Sequence, residues 1–90
     1  MKITYDAQKD KINISKHQGV SLSEANKIEW YTLYAKQDKR FDYGEIRMIG
    51  YAFIGSRLYC VIYTDRDNCR RIISLRKANI REVKNYVLNN

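Results

Sequence analysis

Three stretches dense in Ile, Val, Tyr and Phe, namely Ile46 to Phe53, Arg57 to Thr64 and Arg70 to Arg76, follow one another with only a few turn-forming residues between them. Such residues fit a pleated, half-buried surface, so each stretch reads as a strand. Ile54-Gly55-Ser56 is short and carries a glycine, and Asp65-Arg66-Asp67-Asn68 clusters turn formers, so the strands are expected to pair as consecutive antiparallel hairpins. An antiparallel meander of three or four strands is the frame that the rest of the chain must serve.

The flanking segments read mostly as helices. Ile3 to Tyr5 is a short opening strand, and Asp6 is placed to cap a helix running to about His17, with Ala7, Lys11 and Ile14 on one side. Ser21-Leu22-Ser23-Glu24 has the spacing of a capping box, and Val20 and Ala25 have that of a hydrophobic staple. This predicts a helix from Leu22 to about Tyr34 that buries Leu22, Ala25 and Ile28. Asn79 with Glu82 caps a last helix whose apolar stripe, Ile80, Val83, Tyr86 and Val87, must lie on something apolar, expected to be the sheet. The whole is one α+β domain over residues 1–90, with helices packed on one face of the sheet and the other, concave face open.

The charge is lopsided. Residues 1 to 45 carry eight Lys or Arg against seven Asp or Glu, whereas residues 46 to 90 carry nine against three. Most cations of the second half are arginines, whose planar fork suits bidentate contact with phosphate. That favours a polyanionic partner, the alternative being a solvated basic face. Cys60 and Cys69 form no CxxC pair and lie far from the lone histidine, so they read as reduced apolar fillers, with no metal site and no cofactor expected. No apolar run approaches the ~18 residues of a bilayer span, and the first residues lack a signal peptide's apolar stretch. The expectation is a cytoplasmic protein that leaves membranes alone.

Residues spread over most of the chain carry a family resemblance. Tyr5-Asp6, Lys9, Asn13, Lys16-His17-Gln18-Gly19-Val20-Ser21-Leu22 and Glu24-Ala25 are followed by Asp38, Tyr43-Gly44-Glu45, Arg47 and Gly50. Then come Tyr63-Thr64, Arg71-Ile72-Ile73-Ser74-Leu75-Arg76-Lys77-Ala78, Glu82 and Tyr86. In this order they resemble the BrnT family of bacterial toxins, whose opening Lys-His-Gly-Val-Ser segment, Gly-Glu-x-Arg element and Arg-Ile-Ile-Ser-x-Arg-x-Ala string they match. Gln18 separates His17 from Gly19, and Leu22 stands for a usual Phe. The resemblance implies a RelE-like ribonuclease fold working without metal, an RNA substrate, and neutralisation by a BrnA-like antitoxin through which alone operator DNA is bound.

RNA carries its own nucleophile, the 2′-hydroxyl, so cleavage needs a base for its proton, cations for the phosphate and an acid for the leaving 5′-oxygen. Arg47, Arg71 and Arg76 are the candidates for the phosphate, and His17, Glu45 and Tyr86 for proton transfer. Lys16, Arg57 and Arg70 are candidates for RNA binding. Each proton-transfer candidate has a plainer reading: His17 can interact with a helix C-terminus, Glu45 can pair with Arg47, and Tyr86 can pack in the core. Arg71 and Arg76 raise a geometric conflict, because side chains five positions apart on a regular strand point to opposite faces. A bulge, or a strand that ends before Arg76, would bring them together. Trp30, Tyr31 and Tyr34 are candidate anchors for the partner, or else core residues. The competing function is a non-catalytic RNA-binding or protein-interaction module with a basic face.

Overall fold

A computed structural model describing residues Met1–Asn90 contains β1 (Lys2–Thr4), α1 (Ala7–Lys16), a 3-10 helix (Leu22–Lys27), β2 (Glu29–Gln37), β3 (Met48–Ile54), β4 (Arg57–Arg66), β5 (Cys69–Lys77) and α2 (Ile80–Asn89). The strands form one sheet in the order β1-β5-β4-β3-β2. From β2 to β5 each pairs antiparallel with the next, and β1 joins the far edge parallel to β5. The sheet is therefore five-stranded and mixed, an α+β architecture larger than the expected plain meander. Asp67 and Asn68 both take left-handed φ angles, 54° and 62°, as the two-residue turn between β4 and β5 demands.

The expected helix from Leu22 to Tyr34 is the main correction. The segment starts as predicted, with Leu22, Ala25 and Ile28 all buried, but the helix is a 3-10 turn that stops at Lys27. Ser21 does accept a bond from the Ser23 N–H at 3.1 Å, yet Glu24 turns outward to Lys27 at 3.2 Å and leaves the capping box open. Beyond Ile28 the run Trp30-Tyr31-Thr32-Leu33-Tyr34 prefers a pleated surface, and β3 offers it a partner. Glu29 pairs with Phe53 and Tyr34 to Gln37 with Tyr51 to Met48, while Trp30 to Leu33 bulge between them, Thr32 accepting the Phe53 N–H on its hydroxyl and the Tyr86 hydroxyl on its carbonyl.

The core lies between the sheet and the 3-10 helix, where Leu22, Ala25, Val61, Ile72 and Leu75 are fully buried. Each large aliphatic there contributes roughly 1.5–3 kcal/mol by leaving water. α1 joins this layer differently from the expectation, since Ala7, Lys11 and Ile14 stay exposed. Its one buried residue is Asn13. The Asn13 amide donates to Val20 O at 2.9 Å and to Leu75 O at 2.8 Å, and its Oδ1 accepts from the Leu75 N–H at 3.2 Å. That side chain does for β5, past the end of β1, what a neighbouring strand would do.

α2 sits on the opposite face, so the helices cover both sides of the sheet and not one. Its capping box forms as expected, Asn79 and Glu82 each binding the other's backbone N–H. Tyr86 packs edge-to-face on Phe53 with ring centroids 5.6 Å apart and donates its hydroxyl to Thr32 O. The rest of the expected apolar stripe does not follow it inward: Ile80 is 75% and Val87 65% exposed. No helix is long and apolar enough to cross a membrane.

Candidate active site

The conflict between Arg71 and Arg76 is resolved by the register of β5. Cys60 pairs with Arg76 and Ile62 with Ser74, but Tyr63 pairs with Ile72 and Thr64 with Arg71, so Ile73 is an extra residue that β4 does not match. This bulge reverses the alternation of sides. Ile72 and Leu75, three apart, therefore both enter the core. Arg71 and Arg76, opposite Thr64 and Cys60, share the other face, while Arg70, opposite Asp65, lies on the core side. The β4 partners of Arg71 and Arg76 are four residue steps apart, about 13 Å at ~3.3 Å per residue.

Paired residues point to one side, so the face bearing Arg76 also carries Tyr51 and Cys60, and α2 lays Glu82 against them. Arg76 meets Glu82 through two parallel bonds of 2.8 Å, and Tyr51 donates its hydroxyl to the same carboxylate at 3.1 Å. The Arg76 guanidinium holds the Glu82 carboxyl down to about 2. Burial, with Glu82 nearby, pushes the Tyr51 hydroxyl up, and burial also raises the thiol of Cys60. One further Arg76 donor reaches Lys77 O at 3.3 Å. A guanidinium has five N–H donors, so two remain for a ligand.

The free side of Arg76 opens on a cleft of about 220 Å³ lined by Lys16, His17, Gln18, Arg76 and Lys77. A second cleft, about 210 Å³, lies next along β5 and again includes Lys16 and His17, now with Lys9, Asn13 and Ser74. His17 thus stands between the two. It is the C-cap of α1, held by its own N–H to Asn13 O at 2.8 Å, and Asn13 in turn is fixed to Leu75. Burial, then Lys16 and Arg76, push the imidazole below its ordinary 6.5. It is therefore mostly neutral at pH 7 and can accept a proton.

The other candidates lie elsewhere. Arg71 is exposed beside Thr4, Thr64 and Arg66 on a separate cleft of about 200 Å³ at the far end of β5. Arg47 pairs with Glu45 at 3.0 Å and stacks on Tyr43 at 4.3 Å, within a loop braced by buried Asp38, which accepts bonds from Arg40 and from the Tyr43 hydroxyl. Tyr86 is committed to Phe53 and Thr32. Arg57 donates to Ala78 O at 3.0 Å. Arg70 is on the core side, bound twice to Asp65 and stacked over Trp30 and Tyr63 at 4.6 and 4.3 Å. Of the catalytic candidates, His17 and Arg76 share a cleft, together with Lys16 from the RNA-binding set. Glu82, Tyr51 and Lys77 were missed by sequence reasoning. Glu82 is given there as a helix cap and as part of the family resemblance, with no site role, and the signal for that role is its place just after a basic strand end.

A family model described as the ribonuclease toxin BrnT of type II toxin-antitoxin systems matches residues 5–82. No curated protein matches the chain. The matched span takes in α1, both clefts, β2 to β5 and Glu82 on α2, and a match over so much of the chain shows that it belongs to the BrnT family of type II ribonuclease toxins.

Proposed function

We propose that this chain is a metal-independent endoribonuclease toxin whose reaction centre is the cleft between α1 and the end of β5. The observation that carries the reading is the meeting of His17 and Arg76, distant in sequence, in one basic cleft with Lys16 and Lys77. Neutral His17 takes the proton of a 2′-hydroxyl. The 2′-oxygen then bonds to phosphorus, the bond to the 5′-oxygen breaks, and that oxygen leaves with a proton from a flanking ammonium group. The two free donors of Arg76 meet the charge gathering on the phosphoryl oxygens, and a fixed donor of this kind contributes roughly 3 kcal/mol. Arg71 binds a neighbouring phosphate along the same face, and Arg47 adds a backbone contact farther out.

In the cell this activity would arrest growth by cutting RNA needed for translation, in a RelE-like fold kept in check in the cytoplasm by a BrnA-like antitoxin that also carries the contact with operator DNA. The test is direct. Purified chain incubated with end-labelled RNA and EDTA is expected to give fragments ending in 2′,3′-cyclic phosphate, and His17→Ala and Arg76→Ala to leave the RNA whole while keeping the fold. RNA that stays intact at high excess of the wild-type chain would assign the basic face to binding without catalysis.

A further inference from the structure

α2 carries more apolar surface than the sheet uses. Residues 82 and 86, one turn apart, face inward, while Ile80, Val83 and Val87 fall at the i, i+3, i+7 spacing of a second stripe on its flank. Val83 is 37% and Leu88, at the end of that flank, 85% exposed. An exposed aliphatic stripe of this length marks a surface that another molecule covers. Beside it runs an open groove of about 920 Å³, floored by Ala78, Ile80 and Val83. Its charged lining residues are Arg57, Arg81 and Lys84, all cations.

We propose that this groove is where the antitoxin docks an amphipathic helix, its apolar side on Ile80, Val83 and Val87 and its Asp or Glu residues against Arg81, Lys84 and Arg57. The inference rests on the partner that family membership implies and not on the cleavage chemistry. Charge selects the occupant. A second copy of this chain would bring the same cations against themselves about a two-fold axis, which like-charge repulsion opposes. RNA would find aliphatic groups where single strands need aromatic faces to stack on. An acidic amphipathic helix satisfies both the floor and the rim, the helix-in-groove mode of recognition. The groove shares no residue with the cleft of His17 and Arg76, although Ala78 directly follows Lys77 of that cleft. A helix seated here anchors the antitoxin at the margin of the reaction centre, leaving the rest of the partner to cover it.

Isothermal titration of the purified chain with the antitoxin of its own pair tests the assignment. The double variants Ile80→Ser/Val87→Ser and Arg81→Glu/Lys84→Glu alter exposed side chains only, and circular dichroism checks that each keeps its fold. Both are expected to weaken antitoxin binding by about 100-fold, the effect of losing a central anchor, while RNA cleavage by the free toxin is unchanged. Wild-type affinity in both variants would overturn the proposal, as would sedimentation showing that the chain alone dimerises and that Ile80→Ser/Val87→Ser abolishes the dimer. Should no variant and no wild-type chain cut RNA, the nuclease reading fails, and the affinity shift still decides this one.

Discussion

The molecule holds two arginine–glutamate pairs that look alike in sequence and differ in structure. Glu45 and Arg47 are two residues apart on one loop, joined by a single bond of 3.0 Å, and nothing from another element fixes the carboxylate. Glu82 and Arg76 come from different elements. The carboxylate is fixed by the cap of α2 and by Tyr51, so it presents both oxygens to the guanidinium. The lesson is that a cation is preorganised by what holds its counter-ion. Arg47 can follow Glu45 wherever the loop goes, whereas Arg76 is set at a defined place with two donors left over and a neutral imidazole beside it.

Cleavage kinetics should separate the two pairs most widely. Arg76→Ala is expected to lower the cleavage rate by about 100- to 1,000-fold, the usual cost of one preorganised donor, and Arg47→Ala by about tenfold, through RNA affinity. Equal losses in single-turnover assays would mean that fixation by Glu82 is irrelevant to the reaction. Next in size is stability. Glu82→Gln is expected to lower the unfolding free energy by about 2 kcal/mol, less than the full attraction because Arg76 is partly open to water, and Glu45→Gln by under about 0.5 kcal/mol. Denaturant titration of both variants measures the gap.

The same comparison has a pH form. The Glu82 carboxyl is held near 2 against an ordinary 4.5, so its stabilisation is complete above about pH 5 and fades as pH falls through 4.5 toward 2. Acid titration should show that fading in the wild type, and Glu82→Gln should flatten it. The smallest expected effect concerns His17. A general base works in its neutral form, so cleavage should rise with pH and reach half its plateau below 6.5, since the folded imidazole lies under that value. A midpoint above 6.5 in the kcat/KM profile would assign the base elsewhere.

Much of this architecture is written in local signals. The β3 to β5 strands, the turn at Asp67-Asn68 and the caps at Asp6 and Asn79 all follow from side-chain chemistry within a few residues. β2 does not, because the helix signal at Ser21 and the strand signal of Trp30 to Tyr34 overlap, and the choice was made by β3, a distant neighbour. The site was half legible. His17 and Arg76 belong to recognisable strings, but that they meet depends on Asn13 anchoring α1 to Leu75. The roles of Glu82 and Tyr51 depend on cross-strand register, and the exposed flank of α2 on which of two stripes the sheet accepts.

The extra residue in β5 has an effect out of proportion to its size. Were Ile73 deleted, the part of β5 on one side of it would have to turn over: either Arg71 would be driven toward the interior, or Arg76 would leave Glu82 and Leu75 would go out to solvent. No intermediate state exists between these alternatives, since a strand has only two sides. The position is thus one where a change of residue leaves the register alone and a change of length does not.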